Sequence, residues 1–140
     1  ALVLVDKADL QRGDTAIYVF GETPYAEFDG DKESTDYDKL SAKDVAFFED
    51  MKAKGVKTVA VFLTGRPSGV DRLIDLADAF VVAWLPGSEG GGVADVLVAK
   101  GNGKAAYDFT GRLPFAWPAN GGTASKPAAT RFERGFGLSY

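Results

Sequence analysis

Three apolar runs divide the first two thirds of the chain, at residues 15–20, 57–63 and 79–84. Each run is rich in β-branched and aromatic residues, which is typical of buried strands. The second run is apolar at almost every position, and such strands occur in sheets that are covered on both faces. Residues 1–5 predict a further first or edge strand, and residues 113–118, with two prolines, predict a last strand at an edge.

Between these runs the apolar residues follow helical spacing. Phe48 and Met51 lie on one face of a predicted helix that Ser41 opens and Gly55 ends. Ser41 stands three residues before Asp44, which is the spacing of a weak capping box. Two shorter helices are predicted from apolar residues at Val70, Leu73, Ile74 and Leu76 and then at Val93, Val96 and Leu97.

The alternation of strands and helices predicts right-handed crossovers and a parallel sheet. The predicted fold class is therefore α/β: a mostly parallel sheet flanked by helices, an α/β sandwich of flavodoxin-like topology. Residues 21–40 predict a long loop, and residues 119–134 an irregular C-terminal arm. The length fits one domain over residues 1–140, and a start at Ala1 without methionine fits a processed protein or a piece excised from a longer one.

Composition removes several classes of chemistry. The chain has no cysteine and no histidine, which excludes Ser-His-Asp and Cys-His catalysis and histidine-ligated zinc. Acid/base chemistry must then come from carboxylates, lysine, tyrosine or arginine. A net charge of −4 and a pI near 4.8 argue against nucleic acid or an acidic membrane as partners. No apolar run approaches the ~20 residues that span a bilayer.

Two further patterns carry little weight. The acidic run at residues 29–38 could offer oxygen ligands to calcium, but Ser34 stands where an EF-hand loop needs glycine, so a solvated acidic loop is expected. The glycine-rich segment at residues 87–92 lacks the spacing of phosphate-binding loops, and Glu89 would repel a phosphate. We therefore expect neither a metal nor a cofactor.

Three predicted loops meet at one edge of the sheet. If the strands are parallel, residues 21–31, 64–69 and 85–92 all follow carboxyl ends, where ligands bind in open α/β sheets. The candidate proton donors, cation and aromatic surfaces in these loops are Glu22, Tyr25, Glu27, Arg66, Trp84 and Glu89. The same residue types are equally consistent with a core tryptophan, a surface ion pair and a charge at a helix N-terminus.

Glu27 is the strongest acid/base candidate from the residues alone. Glycosidases of the common type place two carboxyl groups across the scissile bond. Desolvation beside Tyr25 and Phe28 would raise the proton affinity of the Glu27 carboxyl group. Without an evident partner carboxylate, the residues leave open whether this loop is catalytic or a solvated acidic segment.

Five segments, in order, resemble a known family: GETPYAEFDGD, LTGRP, DAFVVAWLPGSEGGGVADVL, DFTGRLPFAWP and the terminal GFGLSY. They are similar to the second domain of family three glycoside hydrolases, the exo-acting β-glucosidases and β-glucan glucohydrolases. The resemblance covers residues 16–140 and agrees with the α/β prediction.

The resemblance implies an active site shared between two domains. An N-terminal barrel domain of the same polypeptide carries the aspartate nucleophile, and the sandwich domain lends the acid/base glutamate. On the pattern G-E-x-P-Y-x-E-x-x-G-D that glutamate is Glu27, with Glu22 as the alternative. The family retains anomeric configuration, so Glu27 would first protonate the departing oxygen and then activate water. No segment resembles the nucleophile motif, and we expect the isolated chain to have little or no activity.

The resemblance also implies a β-glucoside or β-glucan substrate and a secreted or periplasmic location. At the shared sheet edge, Tyr25, Arg66, Trp84 and Glu89 are the candidates for contacting such a substrate. Residues 131–134 depart from the family pattern before the terminal motif. The alternative is a non-catalytic sugar- or partner-binding module in which Glu27 only accepts a hydrogen bond.

Overall fold

The computed structural model describes residues 3–121 and 129–140. Three parallel strands form the main sheet: β1 (Thr15–Gly21), β2 (Lys57–Leu63) and β3 (Ala79–Trp84). The parallel α/β architecture is confirmed, and the three apolar runs match the strands to within one residue. The strands lie in the sequential order β1-β2-β3. A flavodoxin-like sheet instead has its second strand on the far side of the first, and the described residues place no strand there.

The helices of the described ranges are α1 (Tyr37–Leu40), α2 (Ala42–Lys54), α3 (Asp71–Leu76) and α4 (Gly90–Leu97). The predicted long helix is confirmed as α2, and Gly55 ends it with a φ of +73°. The predicted loop at residues 21–40 is wrong in part, since it contains α1 and a 3₁₀ turn, Glu27–Gly30. No helix within the described ranges has the length and apolar character needed to cross a membrane.

The start of α2 differs from the predicted capping box. Ser41 precedes the helix, but its hydroxyl caps no backbone N–H and instead donates to the Asp44 carboxylate. The hydroxyls of Tyr18 and Tyr37 donate to the same carboxylate, each at 2.8 Å. Asp44 is only 1% exposed, so three hydroxyl donors replace water around a buried acceptor-only group.

The core lies between one face of the sheet and helices α2 and α3. Phe48 of α2, Phe62 of β2 and Leu73 of α3 are fully buried there. On the other face Val61 is buried but Val19 of β1 is 58% exposed. The prediction of two covered faces therefore holds for β2 and is wrong for β1, which forms an edge of the described sheet.

The terminal segments differ most from the predictions. Residues 3–5 are exposed and have no regular structure, so no strand forms in the described part of residues 1–5. The predicted last strand shrinks to β4 (Trp117–Pro118), which pairs antiparallel with β5 (Thr130–Phe132) in a second sheet. Proline has no N–H to donate to a ladder, which limits the length of β4. The arm predicted as irregular thus contains a strand, and its residues 122–128 lie outside the described ranges.

Two ion pairs attach this C-terminal arm to α3. Arg131 contacts Asp75 at 2.6 Å and Asp71 at 3.4 Å. The buried Trp117 donates its indole N–H to the Ser68 carbonyl at 3.0 Å. The second sheet is therefore held against α3 and against the loop that follows β2.

Candidate active site

The loops after β1 and β2 begin side by side at the carboxyl edge of the sheet. The Glu22 N–H donates to the Leu63 carbonyl at 3.1 Å, and the Thr64 N–H donates to the Trp84 carbonyl at 3.2 Å. A side chain at Gly21 would overlap the Leu63 carbonyl oxygen, so only glycine fits at the end of β1. The predicted convergence of the three loops at this edge is confirmed for the first two by direct contact.

Glu22 is mostly buried in a polar cluster. Its Oε2 accepts a hydrogen bond from Thr64 Oγ1 at 2.6 Å, and its Oε1 lies 3.6 Å from Arg66 Nε. The Tyr25 hydroxyl lies 3.4 Å from the same carboxylate. The Glu22 side chain is 10% exposed, so its oxygens serve contacts within the protein.

Arg66 and Tyr25 lie together, as predicted, but they contact each other. Arg66 Nε donates to the Tyr25 hydroxyl at 2.7 Å, and Nη1 donates to the Gly30 carbonyl at 2.8 Å. The guanidinium carbon lies 4.0 Å from the centroid of the Tyr25 ring, within cation–π range. The Arg66 side chain is 20% exposed. Nε and Nη1 are therefore directed into the loop after β1, while Nη2 is buried without a hydrogen-bond partner among the described residues.

Glu27 has a different environment. It begins the 3₁₀ turn with a φ of +45°, which is uncommon for a residue with a side chain and typical of functional loops. The residue is exposed, and none of the described residues hydrogen-bonds or ion-pairs with its carboxylate. Neighbouring Phe28 is 84% exposed. The expectation that Tyr25 and Phe28 desolvate Glu27 is thus wrong for this chain by itself.

Trp84 and Glu89 do not join this cluster through their side chains. Trp84 follows a register shift in β3 and has a φ of +55°, which turns its ring toward Trp117 and Phe115 at centroid distances of 5.9 and 6.0 Å. Glu89 precedes α4, is exposed and accepts a hydrogen bond from the Ser88 hydroxyl.

Two carboxylates of the acidic run hold helix starts, and the sequence analysis missed this. Asp36 caps α1 by accepting from the Lys39 N–H, and Asp38 accepts from the N–H groups of Arg72 and Leu73 at the start of α3. Burial raises the pKa of Asp38. The solvated loop is therefore wrong for these two residues. The described residues contain no group of three potential metal ligands.

A cavity of about 500 Å³ lies away from Glu27, between β3 and the C-terminal segment. Its lining is mostly apolar and includes Phe80, Val82, Leu113 and Phe132. Neither Glu22, Glu27 nor Arg66 contributes to it. Such a lining offers few hydrogen bonds to a sugar, so the cavity adds nothing to a catalytic site at the sheet edge.

Comparison with known proteins gives a consistent result. The sequence model of the glycosyl hydrolase family 3 C-terminal domain matches residues 5–140. The structure is similar to the exo-1,3/1,4-beta-glucanase ExoP from a Pseudoalteromonas species, with a TM-score of 0.83 and 40% identity over 97% of this chain and 18% of that chain. A point mutant of the same enzyme matches with a TM-score of 0.79 and 43% identity over 89% of this chain and 21% of that chain.

Two further relatives are β-glucosidases. The chain is 30% identical to a lysosomal beta glucosidase of Dictyostelium discoideum, over 93% of this chain and 16% of that protein. It is 36% identical to a periplasmic beta-glucosidase of Salmonella typhimurium, over 51% of this chain and 9% of that protein. The chain thus spans less than a fifth of the length of these two relatives.

Proposed function

The chain belongs to the glycosyl hydrolase family 3 C-terminal domain family, and from this we propose that it supplies the acid/base carboxyl group of a glycosidase active site. Glu27 is that group. The remainder of the site, including the nucleophile, belongs to an N-terminal barrel domain of the same polypeptide. The substrate is a β-glucoside or the terminal unit of a β-glucan.

The observation that carries this proposal is the contrast between the two glutamates of the loop. Glu22 is buried and ion-paired with Arg66, whereas the Glu27 carboxylate is exposed and has no partner among the described residues. A general acid must reach the leaving oxygen of a substrate, and Glu27 alone of the pair is free to do so. Its location beyond a carboxyl end of the parallel sheet suits a ligand-facing role.

The chemistry follows the two-step scheme of retaining glycosidases. Glu27, protonated, gives its proton to the glycosidic oxygen while the C1–O bond breaks and the barrel carboxylate forms a bond to C1. The Glu27 carboxylate then takes a proton from water as that water attacks C1 and releases the nucleophile. One carboxyl group thus acts first as acid and then as base.

No segment of the sequence resembles the family's nucleophile motif, and we expect the isolated chain to be inactive. The burial that the acid/base carboxyl group needs would come from the barrel surface that closes over Glu27. The names of two relatives, one periplasmic and one lysosomal, support a location outside the cytoplasm. We take the intact protein to be secreted or periplasmic.

The test compares substrates whose leaving groups do or do not need protonation. In the intact polypeptide, Glu27→Ala is expected to lower kcat/KM for alkyl and simple phenyl β-glucosides by about 10²–10⁴-fold, while kcat/KM for a dinitrophenyl β-glucoside changes little. Glu33→Ala, an exposed carboxylate in the same segment, is the matched control and should leave both substrates unaffected. Equal losses on both kinds of substrate for Glu27→Ala would refute the acid role.

A further inference from the structure

Arg66 crosses from the loop after β2 into the loop after β1. Its Nε and Nη1 atoms donate to the Tyr25 hydroxyl and to the Gly30 carbonyl, at 2.7 and 2.8 Å. Its guanidinium group also lies over the Tyr25 ring. One side chain therefore holds two points of the neighbouring loop that are five residues apart in sequence.

These two points flank Glu27. Tyr25 precedes it by two residues, and Gly30 ends the 3₁₀ turn that Glu27 begins. A side chain at Gly30 would approach the Tyr25 ring to 3.0 Å, so the loop is closed tightly around the guanidinium. The Asp31 N–H donates to the Phe28 carbonyl at 3.0 Å within the same turn. With both flanks fixed, the uncommon backbone conformation of Glu27 is maintained.

Arg66 is itself fixed from the other side. Glu22 faces Nε at 3.6 Å, and the Arg66 N–H donates to Thr64 Oγ1 at 3.2 Å. Thr64 is fully buried and also contacts the Glu22 carboxylate. A lysine at position 66 has a single ammonium and cannot reproduce the two spaced donors of the guanidinium.

We propose that Arg66 is the positioning residue of the acid/base group, which acts by clamping Tyr25 and Gly30 on either side of Glu27, and that Glu22 holds this clamp in place. This proposal rests on the proposed function of Glu27. It assigns Arg66 a role without substrate contact, in place of the substrate contact expected from its position at the sheet edge. Misplacing a catalytic group by about 1 Å costs on the order of 100-fold in rate, so the clamp affects steps that need proton transfer.

The test measures kcat/KM for a series of aryl β-glucosides in the intact polypeptide. Arg66→Met is expected to lower kcat/KM about 100-fold for leaving groups that need a proton, with little change for a dinitrophenyl leaving group. Arg66→Lys retains the positive charge but can hold only one of the two points, the Tyr25 hydroxyl or the Gly30 carbonyl. Its kcat/KM should fall between those of wild type and Arg66→Met. A loss of structure alone would lower kcat/KM by the same factor for all substrates. A larger loss for leaving groups that need a proton than for dinitrophenolate, the leaving-group split, therefore reports positioning.

Arg72→Met is the matched control, since Arg72 forms an exposed ion pair from α3 to Glu49 of α2. In this variant, the dependence of kcat/KM on the leaving group should match that of wild type. Equal losses across the series for Arg66→Met, while Glu27→Ala still shows the split, would overturn the positioning role and leave the proposed function intact. If Glu27→Ala also shows no split, the proposed function itself fails.

A second measurement covers the case in which Arg66→Met does not fold. Tyr25→Phe removes the hydroxyl that accepts from Arg66 and leaves the guanidinium in place. It is expected to produce the same leaving-group split, with a loss of about tenfold in kcat/KM for leaving groups that need a proton. One hydrogen bond to a charged group is worth roughly 1.5 kcal/mol. Hydrogen exchange of the Asp31 amide should accelerate in this variant while the β2 amides keep their protection. Unchanged exchange at Asp31 together with an unchanged leaving-group series would overturn the clamp.

Discussion

The Asp44→Ala substitution removes a buried acceptor that three hydroxyl groups share. Asp44 lies in the first turn of α2, and Tyr18, Tyr37 and Ser41 donate to its two oxygens. The Tyr37 hydroxyl also lies 3.0 Å from the Gly21 carbonyl, at the end of β1. The network therefore joins the start of α2 to the strand end from which the Glu22 loop emerges.

The cost of the substitution is worked out from the hydroxyl groups that remain. Tyr37 can turn to the Gly21 carbonyl, so Tyr18 and Ser41 lose their acceptor, at about 1–3 kcal/mol for each buried group. Removing a negative charge from the first turn of a helix adds about 0.3–1 kcal/mol. Relief of the buried charge offsets part of this. We expect the free energy of unfolding to fall by about 3 kcal/mol, or roughly 10 °C in Tm for a chain of this length.

Urea denaturation followed by circular dichroism measures this loss, with Lys43→Ala as the control. Lys43 is exposed on the same turn of α2, and its replacement should change the free energy of unfolding by less than about 0.5 kcal/mol. Burial and, to a smaller extent, Asp44 raise the pKa of Tyr18 to about 12, so in Asp44→Ala that pKa should fall toward its ordinary value. A loss below about 1 kcal/mol, with an unchanged Tyr18 titration, would refute the account of the network.

Three further results are expected. Because the pKa of Tyr18 is raised from 10.0 to about 12 in the folded state, its contribution to stability is complete below the unfolded value and is lost as the pH rises through the folded one. Unfolding free energies measured across that interval should therefore fall more steeply in wild type than in Tyr18→Phe. Gly69→Ala places a methyl group against the Gly121 backbone and should lower the free energy of unfolding by about 1–3 kcal/mol, whereas Gly92→Ala, in open space in α4, should not lower it. Phe48→Ala empties a fully buried position and should cost about 3–5 kcal/mol in chemical denaturation.

The elements that sequence reasoning predicted well are those whose pattern is local. The apolar run of β2 and the spacing of Phe48 and Met51 in α2 depend only on which residues alternate or recur. The order of the strands does not follow from such patterns, because it depends on how the connections cross the sheet. The short β4 and β5 pair across a long separation, and prolines conceal β4 further.

The location of the site was predictable from the sequence, but the roles of its residues were less so. A shared edge followed from the parallel strands, and it brought Glu22, Tyr25 and Arg66 together. Sequence spacing does not show that the Arg66 donors point into the neighbouring loop, or that Trp84 turns toward Trp117 instead. Nor does it show the positive φ of Glu27, since that conformation is uncommon for a residue with a side chain.

The central claim is that Glu27 is the acid/base group of a retaining active site, and chemical rescue tests it most directly. In the intact polypeptide, Glu27→Ala should form the glycosyl-enzyme from a dinitrophenyl β-glucoside but hydrolyse it slowly, because no base activates water. Azide attacks without a base, so it should accelerate turnover by about tenfold or more and yield the β-glucosyl azide. Wild type and the exposed-carboxylate control Glu33→Ala should form only glucose. The claim would be contradicted if Glu27→Ala hydrolysed unactivated glucosides at the wild-type rate and still formed glucose as its product in the presence of azide.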